Sequence, residues 1–188
     1  MSELTAIIER NYEQAKAGNW VEVLSGWECY PVLARRCSRY SKPGSGWGFL
    51  HQAAWFGHEP ACRLLISLGA PLTALTHDSS TPTDIAHQQG HQALAALLQH
   101  AAKGTDSLWK APGDPDVLPA SPLYKEATQT QASTGLLVAY GGGLVRIPAG
   151  AACFTDSFGR ILVGWHGTFN PPCGMDGESM LTDSPYQT

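Results

Sequence analysis

The sequence predicts an α+β protein: a short helical-repeat array followed by a small antiparallel β-rich domain. Three observations carry that expectation. Residues 50–58 and 83–91 share one pattern at a spacing of 33, with Gly57 matching Gly90 and Ala53 matching Ala86. Beyond residue 121 helical spacing gives way to short apolar runs separated by Gly- and Pro-bearing turn signals. Between them lies GTDSLWKAPGDPDVLPAS, with three prolines and little periodicity. The predicted organisation is a repeat domain over 1–103, a linker over 104–121 and a β-rich domain over 122–188.

Each half of the repeat has a local physical cause. Thr81 can cap a helix, and Pro82 suits the first helical position, where its missing N–H costs nothing. Gly57 and Gly90 end short helices where a positive φ is favoured. His58 and His91 then open a second helix, with an apolar face of Cys62, Leu64, Leu65 and Leu68 in one unit. In the next unit that face is Leu94, Leu97 and Leu98, while Ala53, Ala54 and Ala86 let the paired helices approach closely. With Thr81-Pro82 at a helix start and Leu68-Gly69-Ala70 at a helix exit, residues 44–103 resemble two consecutive ankyrin repeats. The resemblance implies a non-enzymatic scaffold or adaptor that binds a protein partner on a concave face of hairpin tips and first helices. By position it places Trp47, Gln52, Trp55, Phe56, His77, Asp78, Gln88 and Gln89 on or near that face. Trp55 and Phe56 fall where ankyrin proteins vary to suit their partners; they are either interface anchors, as large aromatics often are, or buried by the adjacent insertion or the C-terminal domain. The resemblance also implies that His51, His58 and His91 bridge loops and helices by hydrogen bonds instead of binding metal.

Upstream, Leu4, Ile7, Ile8, Tyr12 and Ala15 follow helical spacing, Gly18 ends that run, and Trp20, Val23, Leu24 and Trp27 form a second stripe. This is read as a degenerate third copy that caps the array, with an insertion in the connection around residues 30–45. About three units are needed for a stable solenoid, so the array also needs cover at its far end. Arg35, Arg36, Arg39 and Lys42 cluster in that insertion, either as a docking patch for an acidic partner or phosphate or as a solvated hairpin. In the linker, Leu108 and Trp109 are expected to dock against the last repeat.

The C-terminal runs Gly135–Tyr140, Gly143–Ile147, Ala152–Thr155 and Arg160–Trp165 are separated by turn signals at residues 141–143, 148–150 and 156–159. They predict an antiparallel meander, with the Pro/Gly-rich tail from Asn170 either looping over it or mobile. Ile161–Thr168 resembles the strand-borne His-Gly-Thr/Ser element of ADP-ribosyltransferases of the poly-ADP-ribose type. That resemblance implies a nicotinamide cofactor held by His166 and Thr168, although Glu178 matches the family's later glutamate poorly. An enzyme site around His166 is thus the alternative to the scaffold reading. His166, Cys173, Asp176 and Glu178 lack the Cys-x-x-Cys or His-x-x-x-His pairing of a zinc site.

Charge narrows the function classes. Residues 1–103 carry eight acids and eight bases, whereas residues 104–188 carry eight acids and four bases. A phosphate-neutralising nucleic-acid surface is therefore not expected. An inhibitor or immunity-type protein, its acidic half covering a basic site, is a third reading. No cofactor, metal or catalytic residue is predicted, because Walker, Rossmann, nucleophile-elbow and zincin motifs are lacking. MSELTAIIER lacks a long apolar core, no run reaches membrane-span length, and the five cysteines are odd in number and scattered. A cytoplasmic setting with free thiols and no membrane partner is the expectation.

Overall fold

The computed structural model describes residues 3–103 and 113–181. The chain divides into two compact units, Met1–Ala102 and Lys103–Thr188. The first is helical and the second holds a six-stranded sheet, so the class is α+β. Among the described residues no helix is long and apolar enough to cross a membrane.

The helical unit begins with α1 (Glu3–Lys16) and α2 (Trp20–Cys29). Their inward faces bury Tyr12, Ala15, Trp20, Val23 and Trp27, and Trp20 meets Trp27 edge to face at 6.4 Å. A third helix, α3 (Pro31–Arg39), occupies most of the connection in which the sequence places an insertion. It forms because Pro31 sits in its first turn, no glycine interrupts it, and Ala34 and Cys37 fall one turn apart on the buried side.

Two helix pairs follow: α4 (Phe49–Trp55) with α5 (Glu59–Ser67), and α6 (Pro82–Gln88) with α7 (Gln92–Ala102). Thr81 caps α6 as its residue types predict. Its hydroxyl accepts the Asp84 N–H at 3.1 Å, and the Asp84 carboxylate accepts the Thr81 N–H at 2.9 Å. That reciprocal cap stabilises the helix by about 1 kcal/mol. Gly57 and Gly90 terminate α4 and α6 at φ of 64° and 81°. At Gly57 a methyl group would lie 2.6 Å from the His91 ring, whose Nε2 donates to the Trp55 carbonyl at 3.1 Å. Gly57→Ala is therefore expected to destabilise the helical unit by about 2 kcal/mol or more, combining left-handed strain with displacement of His91. A chemical denaturation midpoint equal to the parent's would refute this.

The second unit corrects the predicted antiparallel meander: its sheet is mixed. Strand order is β2-β5-β6-β1-β3-β4, with β1 (Leu118–Ser121) parallel to both β3 (Leu136–Tyr140) and β6 (Ile161–Leu162). The remaining pairs, β3 with β4 (Gly143–Ile147), β5 (Ala152–Thr155) with β6, and β2 (Thr128–Gln131) with β5, are antiparallel. Residues 118–121, assigned from sequence to the linker, are thus a central strand. Pro119 hid it, since proline normally marks an edge. Here Pro119 pairs with Ala139 of β3, and the pairing with β6 begins only at Ala120. The first part of the predicted linker, including Leu108 and Trp109, lies outside the described residues.

Alternation along the strands builds a core on each face. Ala120, Val138, Ile147, Cys153, Ile161 and Val163 cluster on one side, and Phe154 and Leu162 meet Leu181 on the other. Within the Pro/Gly-rich tail, Leu181 packs onto this face of the sheet. The β5–β6 turn is tied to β1 through Asp156, which is 4% exposed. Its carboxylate accepts the Phe158 and Arg160 N–H groups at 2.9 Å, the Ser121 hydroxyl at 2.6 Å and Arg160 Nε at 2.8 Å.

Candidate functional site

A groove on the helical unit is assembled by three segments. Helix α1 supplies Tyr12 and Lys16, the turn before α4 supplies Lys42, Ser45 and Trp47, and α4 supplies Gln52 and Trp55. The turn is held by Lys42 N–H to Trp47 C=O at 2.8 Å and Gly46 N–H to Lys42 C=O at 3.0 Å. Together these residues enclose a volume of about 420 Å³.

The floor is polar and satisfied. Gln52 is buried, and its amide donates to the Tyr12 hydroxyl at 2.8 Å, joining helices 40 residues apart in sequence. The Tyr12 ring lies tilted against Tyr40 at 5.4 Å and edge to face with Phe49 at 5.5 Å, and burial raises its phenol pKa. It remains a neutral hydrogen-bonding group at physiological pH. The walls are aromatic: Trp47 and Trp55 stand edge to face with centroids 5.9 Å apart, and Trp55 is 42% exposed. Lys42 forms an ion pair with Glu13 at 3.1 Å and lies 5.7 Å from the Tyr12 ring centroid. Lys16 is exposed at the rim.

Behind the groove His51 anchors the turn. Its Nδ1 accepts the Gly48 N–H at 3.0 Å, which leaves the proton on Nε2 to meet the Ala74 carbonyl at 3.1 Å. Burial, the largest influence, lowers its pKa below the usual histidine value. The neutral ring is therefore the form the fold prefers. The unfolded chain binds that proton more readily, so stability is complete above about pH 6.5 and declines as pH falls towards the folded pKa. Melting temperature is expected to drop between pH 7.5 and 5, with a shallower slope in His51→Gln. Equal slopes in the two proteins would remove His51 as the cause.

Three of the residues singled out from sequence, Trp47, Gln52 and Trp55, converge here. The other five do not line the groove. Phe56 packs instead towards the α1–α2 turn, where a methyl on Gly18 would meet its ring at 3.0 Å. His77 is exposed and held by its N–H to the Ser45 carbonyl at 2.8 Å. Asp78, Gln88 and Gln89 are exposed. Tyr12, Lys16, Lys42 and Ser45 were not anticipated at the site, although Tyr12 and Lys16 are four apart and so share one helix face. The basic cluster is no solvated hairpin: Arg35, Arg36 and Arg39 are half-buried on α3, and only Lys42 reaches the groove.

Around His166 the chain is built as turns. Strand β6 stops at Leu162, and the Gly167 N–H returns to the Gly164 carbonyl at 2.9 Å. His166 Nε2 meets the Met175 carbonyl at 3.2 Å, the Thr168 hydroxyl accepts the Cys173 N–H, and Asp176 accepts the Glu178 N–H. All five cysteines are free thiols. Burial pushes Cys37 and Cys62 up to about 12, so neither offers a thiolate nucleophile at neutral pH. Among the described residues no three His, Cys, Asp or Glu side chains converge as metal ligands.

No family model matches the chain. A stretch of 82 residues is 35% identical to calmodulin-binding transcription activator 3 of Arabidopsis thaliana. That alignment covers 40% of this chain and spans 8% of the length of the plant protein.

Proposed function

We propose that the helical unit is a short ankyrin array acting as a non-enzymatic protein-interaction scaffold, with the groove between α1 and α4 as its binding face. The repeat reading is supported by the equal seven-residue helices α4 and α6, the 33-residue spacing of Gly57 and Gly90, and the Thr81–Asp84 cap. The observation that carries the binding role is Trp55, a half-exposed tryptophan beside Trp47 at the mouth of a groove with a buried polar floor. Exposed aromatics over a rigid base are the usual anchors of protein interfaces. Lys16 at the rim and Lys42, already balanced by Glu13, favour a partner segment that presents a carboxylate next to an aromatic or aliphatic side chain. Five free thiols fit a reducing cytoplasmic setting.

The test is affinity capture from native cells with the full chain, with Trp55→Ala and with Phe56→Ala. A partner retained by the parent and by Phe56→Ala but lost by Trp55→Ala supports the groove. Equal retention by the parent and both variants refutes it.

A further inference from the structure

The β3–β4 hairpin ends the sheet, and its geometry determines which backbone groups are left over. Gly141 and Gly142 have φ of 54° and 83°, the two-residue type I′ turn, with Tyr140 paired to Gly143. In such a hairpin the flanking pair exchanges backbone hydrogen bonds, and bonded pairs recur at every second residue. Val138–Val145 and Leu136–Ile147 are therefore bonded pairs. Leu144 and Arg146 consequently turn both N–H and C=O away from β3. Strand β4 is terminal in the sheet, and among the described residues no backbone bond outside the ladder uses these four groups.

The β4 edge carries an exposed apolar side chain beside one charge, Arg146. Leu144 is 62% exposed, and β4 contains no proline. The opposite edge, β2, is Thr-Gln-Thr-Gln, exposed throughout and without an apolar anchor. Beside β4, Tyr140, Val145, Trp165 and His166 line a cavity of about 480 Å³, and Trp165 is half-exposed. Arg146, exposed on the other face with Leu144, has no ion-pair partner among the described residues.

We infer that the β4 edge is a second docking surface, which takes an extended peptide of acidic–apolar–apolar pattern as an added antiparallel strand. The four outward backbone groups bond that strand through the residues opposite Arg146 and Leu144. The middle peptide residue faces Val145 and turns its side chain into the cavity beside Tyr140 and Trp165. Its neighbours lie on the opposite face, an acid beside Arg146 and an apolar side chain beside Leu144. This surface lies on the sheet unit and does not depend on the groove of the helical unit.

The test uses the full chain and a blocked peptide, Thr-Thr-Glu-Phe-Leu-Thr-Thr. Binding is expected to saturate and to slow hydrogen exchange at the Leu144 and Arg146 amides at least tenfold. Lysine in place of the peptide's glutamate should weaken binding about threefold, and Arg146→Glu should reverse that preference. Leu144→Pro removes one outward N–H without touching the β3 ladder, so it should abolish binding with an unchanged unfolding temperature. If that variant fails to fold, the Arg146→Glu charge swap decides the matter on its own. The inference is overturned if binding does not saturate, or if folded Leu144→Pro binds as the parent does. It is also overturned if peptide-free protein protects the two amides in proportion to its own concentration, because a second copy then fills the edge.

Discussion

Replacing Asp156 by alanine is expected to lower the stability of the sheet unit by about 3–5 kcal/mol, the usual cost of breaking a buried ion pair from one side. The carboxylate ends four hydrogen bonds at once: two from the backbone of its own turn, one from Ser121 and one from Arg160. Both Asp156 and Arg160 are buried, so truncation leaves a guanidinium desolvated and without this counter-charge. The Ser121 contact also makes Asp156 the polar link between the β5–β6 turn and central strand β1. For a unit of this size each kcal/mol shifts the melting temperature by roughly 4–8 °C. A fall of more than ten degrees is expected, with loss of hydrogen-exchange protection at Val138 and Phe154. A shift of only two or three degrees would show that water replaces the network and that the link is dispensable.

The second large effect falls on binding. Trp55→Ala is expected to weaken partner binding by about 2 kcal/mol or more, roughly thirtyfold, because it removes the half-exposed indole at the mouth of the proposed binding groove. Folding should barely respond. Trp55 is 42% exposed, and what it loses is mainly the edge-to-face contact with Trp47. That separation of effects identifies a binding residue. A variant that binds weakly only because it has melted would mark Trp55 as part of the fold. Phe56→Ala serves as the internal control, since its ring is equally exposed but seated near Gly18 and outside the groove.

The legible parts of this protein are those with local causes. The Thr81-Pro82 start, the left-handed glycines at 57 and 90, and the buried Cys62, Leu65, Leu94 and Leu98 of α5 and α7 follow from neighbours within a few residues. The same holds for the Gly141-Gly142 hairpin, whose turn chemistry names its own geometry. Leu64, Leu68 and Leu97, by contrast, are only half-buried, and Ile66 takes a core place the stripe did not give it. The site was legible only in part. Trp47, Gln52 and Trp55 lie on or beside one short helix and could be found by position, whereas Tyr12 reaches Gln52 only because α1 packs on α4.

What the sequence by itself determined, then, is a run of short helices followed by short strands, because periodicity, capping and turn residues act within a few positions. Only the tertiary structure decided that Pro119 stands in a central strand, that Thr-Gln-Thr-Gln pairs with β5, and that the sheet is mixed. Neither segment carries an apolar alternation of its own. Their conformation comes from backbone partners up to tens of residues away, and such pairing leaves no periodic trace in the chain that makes it.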